Sequence, residues 1–297
     1  MPQFTKVDPQ RFLGHRAAIY AVAEGLDADT FLTGAGEGWV VVWPQADPEN
    51  GKLLAQAEGN IFSLLAIPEI NGVVAGNMIG GLHWIDLERP ERTKDIKHHS
   101  KGTYALLRLG DQVLSGGGGG KLSRWSIEER RAIESLQLTH AAIRGLAHAP
   151  DRREIAVATS DHSIYLLDEQ LAVKQQIDVH GHSVFCVCYS PDQRLLISGG
   201  RDAQLTITDL VTGSSERIPA HTATINALAF SPDGHYLATA GRDRTIKIWD
   251  SGSFDLLKVL ETVRDDGHRN SVNDLLWTEQ GLISVSDDRS GILWRIN

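Results

Sequence analysis

Short apolar runs broken by turn residues recur along this chain at a spacing of about 42 residues. The clearest unit opens at Ala220-His221 and continues through an apolar strand from Ile225 to Phe230, the turn Ser231-Pro232-Asp233-Gly234 and a strand from Leu237 to Ala240. A hairpin at Gly241-Arg242-Asp243-Arg244 and a strand ending in Trp249-Asp250 complete it. Gly181-His182, Ser190-Pro191-Asp192, Gly200-Arg201-Asp202 and Leu205 to Asp209 make the unit before it. Gly267-His268, Ser286-Asp287-Asp288 and Ile292 to Trp294 make the unit after. Earlier units open at His15, near Ala57, at His99 and at His140, so the period is met seven times although the second unit has no histidine at its start.

These units, with Gly-His near the start and Trp-Asp near the end, resemble the WD-repeat family of β-propellers over nearly all of residues 13 to 297. The resemblance implies an all-β chain: one seven-bladed propeller of four-stranded antiparallel blades beginning near residues 13, 57, 98, 139, 181, 220 and 267. The last unit stops three residues after Trp294, with no room for a fourth strand. Residues from about Gln3 to Phe12 are therefore expected to supply it, since an unpaired strand edge is a liability. Pro9 predicts that this strand is short or bulged. By the same reasoning the seventh unit depends on the first dozen residues.

The bulk properties narrow the classes. A 297-residue chain buries roughly 75% of its unfolded surface and needs neither metal nor disulfide to hold together. Cys186 and Cys188 sit two apart on one side of a strand, the placing of packed free thiols rather than a bridge, which suits a reducing compartment. No leader-like start and no run of 18 apolar residues is present, so a cytoplasmic or nuclear protein away from membranes is expected. A formal charge of −9 weighs against a general phosphate-backbone binder. The expected state is a monomer without cofactor or metal.

Twelve histidines invite a catalytic or metal reading. The resemblance implies another: in each blade an early His, a Ser or Thr of the second strand, the hairpin Asp and the Trp of the third strand form a buried hydrogen-bonded set. The sixth unit has His221, Thr239, Asp243 and Trp249, and the seventh His268, Ser284, Asp288 and Trp294. The fifth has His182, Ser198 and Asp202, with Thr208 in the Trp place. Glu37 replaces the Asp beside His15, Thr33 and Trp43, and Gly119 replaces it beside His99, Ser115 and Trp125. The fourth keeps His140 and Asp161 beside Val157 and Leu167, and the second keeps none of the four, which predicts that blades two and four are the softest. A His, a hydroxyl and an Asp also make a hydrolase triad, but a hydroxyl within a strand packed between blades cannot reach a substrate. The run from Ser115 through five glycines to Lys121 is read as a permissive hairpin rather than a phosphate loop, because Leu122 to Trp125 forms a strand where a P-loop needs a helix. Charged runs at 88–97 and 128–131 read as solvated loops.

The resemblance also places seven residues at the top mouth of the channel: Tyr20, Phe62, Tyr104, Arg144, Phe185, Asn226 and Asn273. Four are aromatic and none is Lys, Glu or Asp. The residues before the hairpin Asp positions, Gly36, Met78, Gly118, Ser160, Arg201, Arg242 and Asp287, emerge on the same face. This composition points to a non-enzymatic scaffold binding a peptide or protein segment, with an apolar or cationic side chain among the aromatics and a carboxylate or phosphate at Arg144, Arg201 and Arg242. The blander alternative is that the aromatics plug the channel and the arginines pair with Asp202 or Asp243. A propeller enzyme or small-ligand binder using the channel is the rival from another class, weakened by the lack of carboxylates in the ring. Nucleic-acid recognition by base stacking is weaker still in so acidic a chain.

Overall fold

A computed structural model describes residues 7–296. Among the described residues the strands form seven four-stranded antiparallel sheets. Six are built in chain order, from strands lying within 19–56, 61–97, 103–137, 143–177, 184–219 and 225–260. In the seventh, Val272–Thr278, Gly281–Ser286 and Ser290–Ile296 are joined by Val7–Leu13, which pairs antiparallel along Ser290–Ile296 from Val7 opposite Ile296 to Leu13 opposite Ser290. The fourth strand of this blade thus comes from the N-terminal side, and residues 3–6 of the expected segment lie outside the described residues. Its register runs unbroken through Pro9, opposite Trp294, so the expected bulge is absent. A proline fits on an outer edge strand because alternate N–H groups there have no ladder partner.

The turns follow from their residues. Ser231 Oγ donates to Asp233 and accepts from Tyr236 N–H at 2.9 Å, while Gly234 takes the positive φ that closes the turn. Ser190 and Asp192 repeat the device at the corresponding turn of blade five.

The chain divides into two compact units, one of residues 1–61 with 226–297 and the other of 62–225. In the first, the apolar core lies between consecutive blades: Ile246, Ile248, Leu282 and Trp294 between blades six and seven, and Phe12, Phe31, Trp43 and Leu293 between seven and one. In the second unit it continues the same way, with Trp84 and Trp125 between blades two and three, Leu122 and Val157 between three and four, and Leu166 and Leu196 between four and five. Middle strands such as Glu154–Thr159 are buried throughout because neighbouring blades cover both faces, whereas outer strands such as Arg131–Gln137 are largely exposed. No helix among the described residues is long and apolar enough to cross a membrane.

Candidate functional site

Blade seven shows how the buried polar set works. Trp294 Nε1–H donates to Ser284 Oγ (2.8 Å), Ser284 meets His268 Nε2 (2.8 Å), and His268 Nδ1 meets Asp288 (3.0 Å). Asp288 also accepts from Arg269 N–H and Ser290 Oγ. Burial works against its charge, but these donors outweigh burial and hold the carboxyl well below the usual range. Ser284 is fully buried, so its hydroxyl has no route to a substrate. Blade one is built alike, with Glu37 reaching His15 at 2.6 Å and His15 and Trp43 both bonding Thr33. In blade six Trp249 donates to Thr239 at 3.1 Å, Asp243 accepts from Thr245, and His221 is buried.

Two expectations are corrected here. In blade five the set belongs to His180, not His182: His180 Nε2 meets Ser198 at 2.8 Å and Nδ1 meets Asp202 at 3.0 Å, while His182 is exposed against His162. Chain spacing reveals why. From His to hydroxyl and from His to carboxylate, blade one spans 18 and 22 residues, blade seven 16 and 20. The longer spacing goes with a long turn between the first two strands. Blade five has such a turn, from Tyr189 to Leu195, whereas blade seven turns tightly from Thr278 to Gly281. In blade four His140 is exposed, and Asp161 is held instead by Thr139 Oγ1 (2.6 Å), Thr159 Oγ1 and Tyr165 Oη (3.2 Å). Blade two keeps none of the four, as expected: Ile85, opposite Val73, stands in the Trp place and Ala75 in the hydroxyl place, whereas Trp84 lies on the other face of the sheet against blade three, where its buried N–H has no partner. A separate triplet serves that blade: Asn77 to His83 Nε2 at 2.9 Å, and His83 Nδ1 to Asp95 at 2.5 Å.

Five of the expected contact residues share one backbone feature. In blades one, three, four, five and seven the ladder between the first two strands slips at a single residue, which is Tyr20, Tyr104, Arg144, Phe185 and Asn273 in turn. A bulged residue is unpaired and its side chain is re-aimed, which is why these side chains stand half-exposed among buried neighbours. Each lies beside the hairpin of its own blade: Ser160 accepts from Arg144 Nε at 3.1 Å, and Asp287 accepts from Asn273 Nδ2 at 2.8 Å.

Within residues 62–225 four of the expected contact residues form a row. The rings of Phe62 and Tyr104 lie 5.4 Å apart. The Arg144 guanidinium lies over Tyr104 at 4.2 Å and over Phe185 at 5.2 Å. Arg144 is thus sandwiched by aromatics rather than neutralised by an acid. Arg201 is exposed at the hairpin of blade five, where Asp202 is taken by His180 and the Gly181 N–H. In the other unit Tyr20 is half-buried, and burial together with Asp287 raises its phenol above the ordinary range. There the amides of Asn226 and Asn273 are spent on the next blade, Asn226 on Ser271 and Val272 O, Asn273 on Ile19 O, and Arg242 is exposed. Sequence reasoning passed over Asp274 beside this group. Its carboxylate accepts from Val22 N–H of blade one and from Leu275 N–H, and burial pushes it up to about 7. Among the described residues no group of three or more His, Cys, Asp or Glu is placed to hold a metal ion.

Seven four-stranded blades, with His–hydroxyl–Trp sets in blades one, three and seven, define a β-propeller of the WD-repeat class, and this chain is a WD-repeat seven-bladed propeller. The family described as "WD domain, G-beta repeat" matches residues 173–209 and 212–250. The chain is 26% identical over 140 residues to THO complex subunit 6 of Homo sapiens, a match covering 43% of this chain and 40% of that protein. The crystal structure of the WD40 β-propeller domain of Doa1 resembles it with a TM-score of 0.84 at 18% identity, covering 96% of this chain and 95% of that one.

Proposed function

We propose that this protein is a non-enzymatic scaffold that receives a protein segment at the hairpin ends of blades two to five, through Phe62, Tyr104, Arg144 and Phe185. The observation that carries this reading is the half-exposed row, bulged at Tyr104, Arg144 and Phe185, in which a cation lies between aromatic rings, since aromatics and Arg supply most binding hot spots. The His–hydroxyl–carboxylate groups hold the blades together, and their buried hydroxyls offer no nucleophile. The partial likeness to a subunit named for the THO complex supports membership of a multi-protein assembly. A reducing compartment, cytoplasmic or nuclear, fits the Cys188 thiol that burial pushes up to about 12 and so keeps unreactive.

The test compares partner capture by the full chain and by a Tyr104→Ala, Arg144→Glu variant whose thermal unfolding is measured alongside. The expected result is a partner retained by the wild type and lost at least tenfold in a folded variant. Equal retention by both would overturn the assignment of the site.

A further inference from the structure

Blade three keeps Trp125, Ser115 and His99 but carries Gly119 where blade seven has Asp288, 20 residues after the His in both. Trp125 Nε1–H donates to Ser115 Oγ at 2.9 Å, and Ser115 meets His99 Nε2 at 2.8 Å. An indole N–H only donates, so Ser115 accepts from it; in blades one, five and seven Nδ1 donates to a carboxylate and the hydroxyl therefore donates to Nε2, and the same arrangement in blade three puts the His99 proton on Nδ1. That Nδ1–H, in a residue only 2% exposed, has no hydrogen-bond partner.

Three other blades show what belongs there. Glu37, Asp202 and Asp288 each accept from His Nδ1 and from the backbone N–H that follows the His, at Arg16 (3.2 Å), Gly181 (3.0 Å) and Arg269 (2.9 Å). In blade three that next residue is Ser100. A Cβ built on Gly119 would meet only Ser100 Oγ, at 2.6 Å, the far end of an exposed and rotatable side chain. Lys121 adds positive charge felt at His99, and Gln137 pins the hairpin through Gly119 O at 2.7 Å.

We propose that blade three binds a carboxylate from outside the chain, an Asp or Glu side chain of a partner, which accepts from His99 Nδ1–H and Ser100 N–H beside Lys121 and completes the set that Gly119 leaves short. The hairpin borders the aromatic row, since a Cβ on Gly118 would lie 2.9 Å from the Tyr104 ring. The partner's identity as a protein rests on the scaffold reading, whereas the carboxylate site stands apart from it.

Free acetate tests the site directly. Thermal unfolding of the full chain is followed in sodium acetate and in sodium chloride of equal ionic strength at pH 7, for wild type and for Gly119→Asp. Acetate is expected to raise the wild-type midpoint by about 2–4 °C over chloride. Gly119→Asp is expected to be raised already in chloride and to ignore acetate. The His99 Nδ1–H resonance of the wild type should shift on addition of acetate and stay put with chloride, a readout that holds even where the variant fails to fold. No difference between acetate and chloride in either measurement overturns the site. A terminally blocked peptide with one internal Glu should reproduce the resonance shift where its Gln counterpart does not. Acetate binding without an effect of the Glu peptide would overturn the partner assignment and leave a small-carboxylate site, whatever becomes of the Tyr104 and Arg144 test.

Discussion

Blades two and four have both departed from the four-residue set of blade seven, with opposite consequences. Blade four has lost the hydroxyl and the indole together, to Val157 and Leu167, both fully buried, and its carboxylate Asp161 has gathered hydroxyls from Thr139, Thr159 and Tyr165. Blade two has also lost hydroxyl and indole together, to Ala75 and Ile85, but on its other face it buries Trp84, whose N–H has nothing to bond. The expectation that both are equally soft treats every missing residue as a loss. The physical rule is asymmetric: replacing both partners by apolar groups of similar shape is nearly neutral, and removing one leaves the other desolvated and unpaired. The weak points are therefore the buried groups left unpaired, Trp84 Nε1 in blade two and His99 Nδ1 in blade three.

The contrast can be pressed hardest in blade seven, where everything is satisfied. Asp288→Ala should lower stability by about 2 kcal/mol in urea unfolding at pH 7, because it takes the carboxylate acceptor from His268 Nδ1–H and Arg269 N–H at once and leaves His268 Nδ1 only Ser290 Oγ at 3.3 Å. The native carboxyl titrates below its unfolded value, so its contribution is present above about pH 4 and is lost as pH falls further, and the variant should lack that acid dependence.

Asp274 tests the reverse case, a carboxylate that is hydrogen-bonded yet still costs. Its native value of about 7 lies above the ordinary 3.8, so the folded state binds the extra proton between these values and stability falls as pH rises through that window. Asp274→Asn keeps an acceptor for Val22 N–H without the charge, while its NH2 replaces the oxygen that accepts from Leu275 N–H. It should gain about 2 kcal/mol over the wild type at pH 8, a gain that shrinks to nothing near pH 4 in chemical denaturation. A gain independent of pH would show that the charge is not the cause.

Val157→Thr sharpens the comparison itself, because it buries a hydroxyl among apolar groups and should cost about 2 kcal/mol in paired denaturation curves. The smallest effect is expected at His182→Ala, within about 0.5 kcal/mol of wild type, against about 2 kcal/mol for His180→Ala.

Most of the fold was legible because it is written seven times. The repeat gave the blades, and the lone N-terminal segment gave the strand that pairs with Ser290–Ile296. The site was legible only as positions. The first-strand residues were picked out by place, and what makes them special, the slipped register, is a backbone property that no residue type announces. His180 was missed because His182 satisfies the shorter spacing of blade seven; the turn from Tyr189 to Leu195, two residues nearer to blade one in kind, was the available signal. Asn226 and Asn273 look like contact residues by composition, yet an amide both donates and accepts and is taken up at once by the neighbouring blade. Asp274 carried no signal, since its desolvation arises from a blade at the far end of the sequence.

Pairing of Val7–Leu13 with Ser290–Ile296 has a consequence in time. Gln10 and Arg295, bonded through their side chains at 2.6 Å, lie 285 residues apart. At about 5–20 residues per second a ribosome needs roughly 15–60 s to make the second after the first. Through that interval the early strand has no ladder partner, but Phe12 can already stack on Phe31 at 4.8 Å and Trp43 at 5.8 Å, both in the blade made next. Blade one thus serves as a berth that keeps an aggregation-prone strand docked until its true partner is synthesised, so a mutation at Phe12 would show first in the yield of newly made protein and only later in the stability of the finished one.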